Sequence, residues 1–191
     1  MHRFATVLAF TIAAAAPVTA APVAADPGQD AANARVEVDI SERKLYVYND
    51  GSLMNSFDVA VGMPEHPTPT GTFTMDRIIW NPDWVPPDVE WAEDETRKAP
   101  GDPENPMQGA KIFFEYPDYY IHGTNARETL GSAASHGCIR MNPVDVENLA
   151  EFLQKAGGSD RSDAWFDRIR ASDTEKTEVR LEDPITVVIR E

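Results

Sequence analysis

The sequence predicts a single, mainly β domain whose sheet is covered by one principal helix. Apolar and polar residues alternate over residues 35–40 and 44–48, and this period of two is typical of half-buried strands joined in a hairpin. Apolar residues recur at helical spacing between Pro143 and Gly157. The chain has 191 residues, which is enough for one domain with a substantial core.

The remaining elements are predicted from local patterns in chain order. The helix begins after Asn142, a favourable N-cap, with Pro143 in its first turn, and it ends at Gly157. Residues 164–171 have the spacing of a second, shorter helix. Further strands are predicted over residues 53–61, 72–79, 111–115, 119–122 and 184–189.

Residues 80–109 show neither period. This stretch contains six prolines and three tryptophans, Trp80, Trp84 and Trp91, interleaved with acidic residues. The tryptophans argue against disorder, because disordered segments contain few aromatic residues. Two interpretations remain open: a structural loop wrapped over a sheet edge, or a wall or lid of a substrate cleft.

Residues 1–25 have the features of a signal peptide. A basic start at Arg3 is followed by an apolar run over residues 4–16 and by small residues that predict cleavage after Ala20 or Ala25. The apolar run is too short for a membrane span, and we expect no span elsewhere. We therefore expect an exported protein with a flexible linker over residues 26–34 and one domain over residues 35–191.

The charge of the chain excludes one class of partner. It has 32 acidic and 17 basic residues, giving a net charge of −15 at pH 7. Such an excess of negative charge repels phosphate backbones and anionic membrane surfaces. We therefore expect no nucleic-acid partner.

Residues 135–141 (SHGCIRM) are the most informative stretch, because they contain the only cysteine, Cys138. Exported proteins usually use cysteines in pairs, so a single one is either a small buried residue or a free reactive thiol. As an extended strand, the segment would place His136, Cys138 and Arg140 on one face and its apolar residues on the other. The flanking histidine, glycine and arginine favour the reactive thiol.

A second histidine, His122, lies in residues 119–124 (YYIHGT), where alternation places it with Tyr120 on one face. A thiol of ordinary pKa needs a nearby imidazole to become a good nucleophile. We assign His122 as the base, because it can approach the sulfur from another strand, whereas His136 is tied to Cys138 along its own strand. His136 then has a supporting or substrate-positioning role.

Two glycines and three polar residues complete the predicted site. We expect Gly123 to adopt an unusual backbone course that leaves a carbonyl free to hold the imidazole, and Gly137 to let backbone N–H groups face an oxyanion. The residues predicted to bind substrate are Tyr120, Ser135 and Arg140, the last by a bidentate contact with a carboxylate.

Other interpretations of the same residues remain open. Arg140 could form a surface ion pair, and His122 could be a satisfied core histidine. His122, His136 and Cys138 could also be the three ligands of a catalytic zinc, although no HExxH-type pair accompanies them. We favour the thiol chemistry and expect neither metal nor cofactor.

Residues 120–124 and 135–141 resemble the active-site signature of the L,D-transpeptidase catalytic domain (YkuD-type) of bacterial cell-wall enzymes. Residues 68–73 (TPTGTF), 81–87 (NPDWVPP) and 105–107 (NPM) also resemble stretches of that family. The resemblance implies a mixed β-sandwich with the helix packed after the cysteine motif. This chain departs from the pattern in having Gln108 before Gly109, which affects the geometry of that loop.

The resemblance implies that Cys138 is the nucleophile, His122 the general base and the carbonyl of Gly123 the group that orients it. The expected partners are peptidoglycan stem peptides, a tetrapeptide donor and an amine acceptor, in the periplasm or cell wall. The implied reaction expels the terminal D-alanine, forms a Cys thioester, and yields a 3-3 cross-link or attaches another amine. Alternatives are an L,D-carboxypeptidase or other hydrolase, or a non-catalytic wall-binding protein. We expect a monomer.

Overall fold

The computed structural model describes residues 34–191. The predicted signal peptide over residues 1–25 lies outside the described residues, and so do residues 26–33 of the predicted linker. Ala34, which we assigned to the linker, already belongs to the first strand.

The described chain is built mainly from strands, with two α-helices near its C-terminal end. Short 3-10 helices cover Glu90–Ala92 and Arg127–Thr129. The helices are α1 (Pro143–Ala156) and α2 (Asp163–Ala171). The strands are β1 (Ala34–Asp39), β2 (Lys44–Asn49), β3 (Ser52–Asp58), β4 (Val61–Gly62), β5 (Gly71–Trp80), β6 (Gln108–Glu115), β7 (Tyr119–Gly123), β8 (Ala133–Ser135), β9 (Ile139–Met141) and β10 (Thr177–Arg190).

Eight strands form one sheet in the order β3-β2-β1-β10-β5-β6-β7-β9. The β1–β10 and β7–β9 pairs are parallel and the others antiparallel, so the sheet is mixed. β4 and β8 form a second, two-stranded parallel sheet. Ala60 pairs with Arg140 of β9 through two backbone hydrogen bonds, so the eight-stranded sheet is nearly closed into a barrel. The predicted mainly β fold with a mixed sheet is confirmed.

Helix α1 follows the cysteine motif, as predicted. The Asn142 side chain accepts a hydrogen bond from the Val144 N–H at 3.0 Å, which caps the helix, and Pro143 occupies its first turn. The helix packs against β6 and β7. Each fully buried large side chain contributes about 1.5–3 kcal/mol to stability. The buried apolar face consists of Val146, Leu149, Ala150 and Leu153.

The predicted single strand over residues 53–61 is wrong, because the chain changes sheets within it. β3 ends at Asp58, and the chain then crosses to β4 in the smaller sheet. Val59, Ala60 and Val61 are three consecutive apolar residues, and all three are buried. A regular strand would expose the middle one on its opposite face, so leaving the sheet allows all three to enter the core.

The segment between β5 and β6, residues 81–107, is irregular apart from its short 3-10 helix, yet it is firmly anchored. Trp84 is buried and exchanges two backbone hydrogen bonds with Lys98, at 3.0 and 2.9 Å. Asn105 is also buried, and its side-chain amide donates to the Pro82 carbonyl oxygen at 2.9 Å. No helix within residues 34–191 has both the length and the apolarity needed to cross a bilayer.

Candidate active site

The pairing of β7 with β9 brings two of the predicted site residues, His122 and Arg140, onto one face of the sheet. In the parallel β7–β9 ladder, Ile121 pairs with Ile139 and His122 pairs with Arg140. Both isoleucines are fully buried, so they mark the core face, and His122 and Arg140 share the opposite face. On its other side β7 is antiparallel to β6, where Lys111 lies opposite His122.

Cys138 immediately precedes β9 and is half-buried. Its thiol lies 3.4 Å from the Asp118 carbonyl oxygen, which accepts its hydrogen bond. Burial raises the pKa of the Cys138 thiol, whereas hydrogen bonds from Tyr120 and the positive charges of Lys111 and Arg140 lower it; the net direction is upward. The resting side chain is therefore mainly a thiol at neutral pH.

His122 is 3% exposed, and its Nδ1 lies 2.8 Å from the Gly123 carbonyl oxygen. A carbonyl only accepts, so this hydrogen bond assigns the proton of the neutral imidazole to Nδ1 and leaves Nε2 unprotonated. Burial lowers the pKa of His122 to about 3, and the charges of Arg140 and Lys111 act in the same direction. The imidazole is thus neutral at physiological pH, the form that a base requires.

The expected unusual backbone course at Gly123 is wrong. Gly123 lies in β7 outside the left-handed region, although its carbonyl does hold the imidazole as expected. What Gly123 requires is space: a Cβ there would lie 2.3 Å from the Gln108 carbonyl oxygen. The glycine therefore permits a close approach between β6 and β7 beside the imidazole.

The predicted extended strand through residues 136–138 is also wrong. The chain bends between β8 and β9, and Gly137 has a φ of +104°, which an L side chain rarely adopts. A Cβ on Gly137 would also lie 2.7 Å from a ring carbon of Tyr119. Because the strand is interrupted, strand alternation does not relate His136 to Cys138.

Ser135 organises this bend. It is buried, its Oγ accepts a hydrogen bond from the Gly137 N–H at 3.1 Å, and the same hydroxyl donates to the Cys138 carbonyl oxygen at 2.5 Å. The Gly137 N–H, which we expected to face an oxyanion, is therefore engaged within the motif. Ser135, which we expected to bind substrate, is likewise engaged with the backbone on both sides of the turn.

His136 faces the long loop rather than the cysteine. Its imidazole stacks on the indole of Trp91, with 4.0 Å between ring centroids and 12° between ring planes. His66 lies on the same imidazole, with 4.8 Å between centroids. Of the two interpretations of the loop, these contacts favour a wall beside the cysteine motif.

Arg140 and Tyr120 lie close enough to the thiol to lower its pKa. Arg140 is half-buried, and its Nη1 donates to the Ala134 carbonyl oxygen at 3.1 Å. Within residues 34–191 it forms no ion pair, so the alternative of a surface ion pair is not observed. The Tyr120 ring packs edge-on against that of His122, with 5.6 Å between centroids.

The zinc alternative is not supported by the geometry. Among the residues that the structure describes, no three histidine, cysteine or acidic side chains converge as a metal site requires. His122, His136 and Cys138 therefore do not form a ligand set.

Lys111 is the neighbour of the thiol that our sequence reasoning missed. It lies on β6 in an otherwise apolar stretch, and its Nζ sits over the Tyr120 ring, 3.7 Å from the centroid. The available signal was strand alternation: Lys111 and Phe113 occupy one face of β6 and Ile112 the other. Nothing in the local pattern indicated that this face adjoins the cysteine.

Comparisons with known proteins identify the family. A family model for the L,D-transpeptidase catalytic domain (YkuD) matches residues 33–185. The chain is 33% identical over 122 residues, 60% of this chain and 39% of the relative, to the probable L,D-transpeptidase ErfK/SrfK of Escherichia coli (strain K12). It is 29% identical over 130 residues, 64% of this chain and 42% of the relative, to the probable L,D-transpeptidase YbiS of the same organism.

The fold is similar to that of an L,D-transpeptidase from Mycobacterium smegmatis, with a TM-score of 0.53 and 20% identity over 84% of this chain and 59% of that structure. Because the family model matches most of the sequence, the chain belongs to the L,D-transpeptidase catalytic domain family, as its motifs predicted. The chain spans less than half the length of the two Escherichia coli relatives.

Proposed function

We propose that this chain is a cysteine-dependent L,D-transpeptidase that acts on peptidoglycan stem peptides. The observation that carries the proposal is the buried, neutral His122, whose Nδ1 lies 2.8 Å from the Gly123 carbonyl oxygen, in a chain whose one cysteine, Cys138, is a free thiol. His122 and Tyr120 project from the same face of β7, and Tyr120 lies beside Cys138. Membership of the family supports the same chemistry.

In the proposed first half-reaction, the Cys138 S–H proton passes to Nε2 of His122, and the sulfur attacks the carbonyl carbon of the third stem residue. The tetrahedral intermediate then collapses. The bond to the terminal D-alanine breaks, and His122 returns its proton to the departing amine. The product is a thioester between Cys138 and the shortened stem.

In the second half-reaction, the amine of an acceptor attacks the thioester carbonyl and gives its proton to His122. A new amide forms, the bond to sulfur breaks, and the thiol is regenerated. With the side-chain amine of a second stem as acceptor, the product is a 3-3 cross-link. In the free enzyme the Cys138 thiol donates a hydrogen bond to the Asp118 carbonyl oxygen. Catalytic hydrogen bonds commonly tighten only when substrate is bound.

The other predicted residues have supporting roles in this proposal. Tyr120 and Arg140 lie beside the sulfur. In this proposal both contact the donor, and Arg140 binds a carboxylate of the donor. Ser135 and Gly137 shape the turn that presents Cys138, and His136 with Trp91 forms a wall of the donor site. A non-catalytic wall-binding protein would not need to keep both Cys138 and His122.

The proposed setting is the periplasm or cell wall, with residues 1–25 acting as the export signal and residues 35–191 as the catalytic domain. Product analysis after incubation with a disaccharide-tetrapeptide tests the reaction. A tetrapeptide–tripeptide dimer, absent with Cys138→Ala, is the expected result. Tripeptide without dimer would make the chain an L,D-carboxypeptidase, with water as the acceptor, and an unchanged substrate would contradict both activities.

A further inference from the structure

Lys111 is a half-buried cation on the chemical face of the sheet. It lies directly opposite His122 in the β6–β7 ladder, and residues directly opposite in an antiparallel pair project to the same face. Its Nζ is 3.7 Å from the centroid of the Tyr120 ring and 4.8 Å from that of Phe113. Two aromatic faces thus hold the ammonium next to Tyr120, which also lies beside Cys138.

No carboxylate pairs with this ammonium among residues 34–191. The chain has 32 acidic residues against 17 basic ones, so a shortage of acids does not explain this. Withdrawing an unpaired charge from water is costly. Burial lowers the pKa of Lys111 to about 8, and the opposing influence of a negative charge comes first from Cys138.

The thiolate of Cys138 requires a nearby positive charge. In many thiol enzymes an imidazolium supplies it, but burial keeps His122 neutral. Arg140 is the other cation beside the sulfur, and its Nη1 is engaged with the Ala134 carbonyl. Lys111, by contrast, forms no ion pair among residues 34–191, so its charge is available to the thiolate. The charged or titratable groups near Lys111 and Cys138 are His122 and Tyr120 on β7, Arg77 on β5, Arg140 on β9, Asp118, Asp83 and Lys176.

We propose that Lys111 is a positioning residue that acts through its charge. Its ammonium, held on the Tyr120 ring, stabilises the thiolate of Cys138 and so favours formation of the thiolate. At neutral pH Lys111 is mainly protonated, because its pKa of about 8 lies above 7, and it forms no bond to sulfur. When the S–H bond breaks, the proton passes to His122 during catalysis, or to solvent when the free enzyme is titrated. The inference deepens the proposed function, but its thiolate part can be measured without any stem peptide.

The test is the ionisation of Cys138 in the wild-type protein and in Lys111→Met, followed by thiolate absorbance in the ultraviolet between about pH 6 and pH 7.5, where Lys111 carries its charge and the tyrosines are protonated. Because the chain has one cysteine, the signal reports Cys138 alone. Removing the charge of Lys111 is expected to raise the thiol pKa by about one unit, which is roughly a tenfold loss of thiolate at neutral pH. Iodoacetamide alkylation should slow by the same factor. Lys111→Arg should keep most of the thiolate.

Lys155→Met is the matched control, because Lys155 also lies over an aromatic ring, that of Phe166 at 5.1 Å, but sits on α1 in ion pairs with acidic residues. It should leave the Cys138 pKa unchanged. Thermal unfolding establishes that each variant is folded, and Lys111→Gln provides a second neutral variant.

An unchanged Cys138 pKa in a folded neutral variant would overturn the proposal. If that variant instead raised KM for the tetrapeptide with the thiol pKa unchanged, Lys111 would be a substrate-binding residue and the proposal would also fail. Failure of the proposed function looks different, because the wild-type protein would then show the lysine-dependent thiolate but no acyl transfer.

Discussion

The indole of Trp91 lies flat on the imidazole of His136, with 4.0 Å between ring centroids. This contact joins the irregular segment between β5 and β6 to the cysteine motif. Trp91 remains 43% exposed, so one face of the ring is available to a ligand. The loop therefore contributes an aromatic wall to the site rather than only covering a sheet edge.

Trp91→Ala is expected to weaken use of the stem-peptide donor. Aromatic pairs contribute about 0.5–1.5 kcal/mol, so kcat/KM should fall about tenfold while the free energy of unfolding changes by no more than about 1 kcal/mol. Trp91→Phe should retain most activity. Steady-state kinetics with the disaccharide-tetrapeptide checks this. The control is Val85→Ala, at an exposed position of the same segment. Equal effects of the two variants on kcat/KM would contradict the role of Trp91 as a wall of the donor site.

Ser135→Ala should impair acylation more than stability. The hydroxyl bridges the Gly137 N–H and the Cys138 carbonyl, so its loss leaves the turn that presents the thiol unsupported. We expect the acylation rate to fall about 10- to 100-fold, for a stability loss of about 1–2 kcal/mol. Ser132→Ala is the control, because Ser132 Oγ also donates to a backbone carbonyl, that of Thr129, outside the motif. Acylation at the wild-type rate in Ser135→Ala would contradict the assigned role.

Gly123→Ala tests the close approach of β6 and β7. The added methyl would meet the Gln108 carbonyl oxygen at 2.3 Å and the Pro143 Cα at 3.0 Å. We expect a loss of about 3 kcal/mol in the free energy of unfolding, measured in urea, and slower acylation because the carbonyl that holds His122 must shift. Gly131→Ala, with open space around its Cβ but a φ of +84°, should cost only about 1 kcal/mol and leave acylation unchanged.

The pH dependence of thiol reactivity should follow Cys138 alone. Burial lowers the pKa of His122 to about 3, so its imidazole does not titrate in the working range. Burial raises the pKa of the Cys138 thiol above its usual value, so the thiolate fraction grows about tenfold per pH unit below that pKa. Alkylation rates should rise steadily from about pH 6 to about pH 8. A plateau beginning near pH 6.5 would instead indicate a thiolate–imidazolium pair.

Periodicity predicted most of the fold. The hairpin of β1 and β2 and the helix after Pro143 were identified because their apolar residues keep one period and their ends have turn or cap residues. The strand predicted over residues 53–61 failed because its last residues pair with other parts of the chain, Ala60 with Arg140 above all. Such long-range pairing leaves no mark on a local pattern.

The chemistry of the site was easier to find than its geometry. Cys138 and His122 stood out as residue types, whereas the bend at Gly137 depends on a backbone angle that alternation does not reveal. Lys111 was missed because its position beside the thiol arises from the β6–β7 register. Trp91 was recognised as unusual, but its contact with His136 requires the folded loop.

The most direct test of the account is the intact mass of the protein during reaction with a disaccharide-tetrapeptide donor. We predict an adduct equal to the donor less its terminal D-alanine, located by digestion on the peptide that contains Cys138. Cys138→Ala should form none, and His122→Ala should form it slower by orders of magnitude. A folded wild-type protein that never acquires the adduct, or an adduct that persists in Cys138→Ala, would contradict Cys138 as the nucleophile.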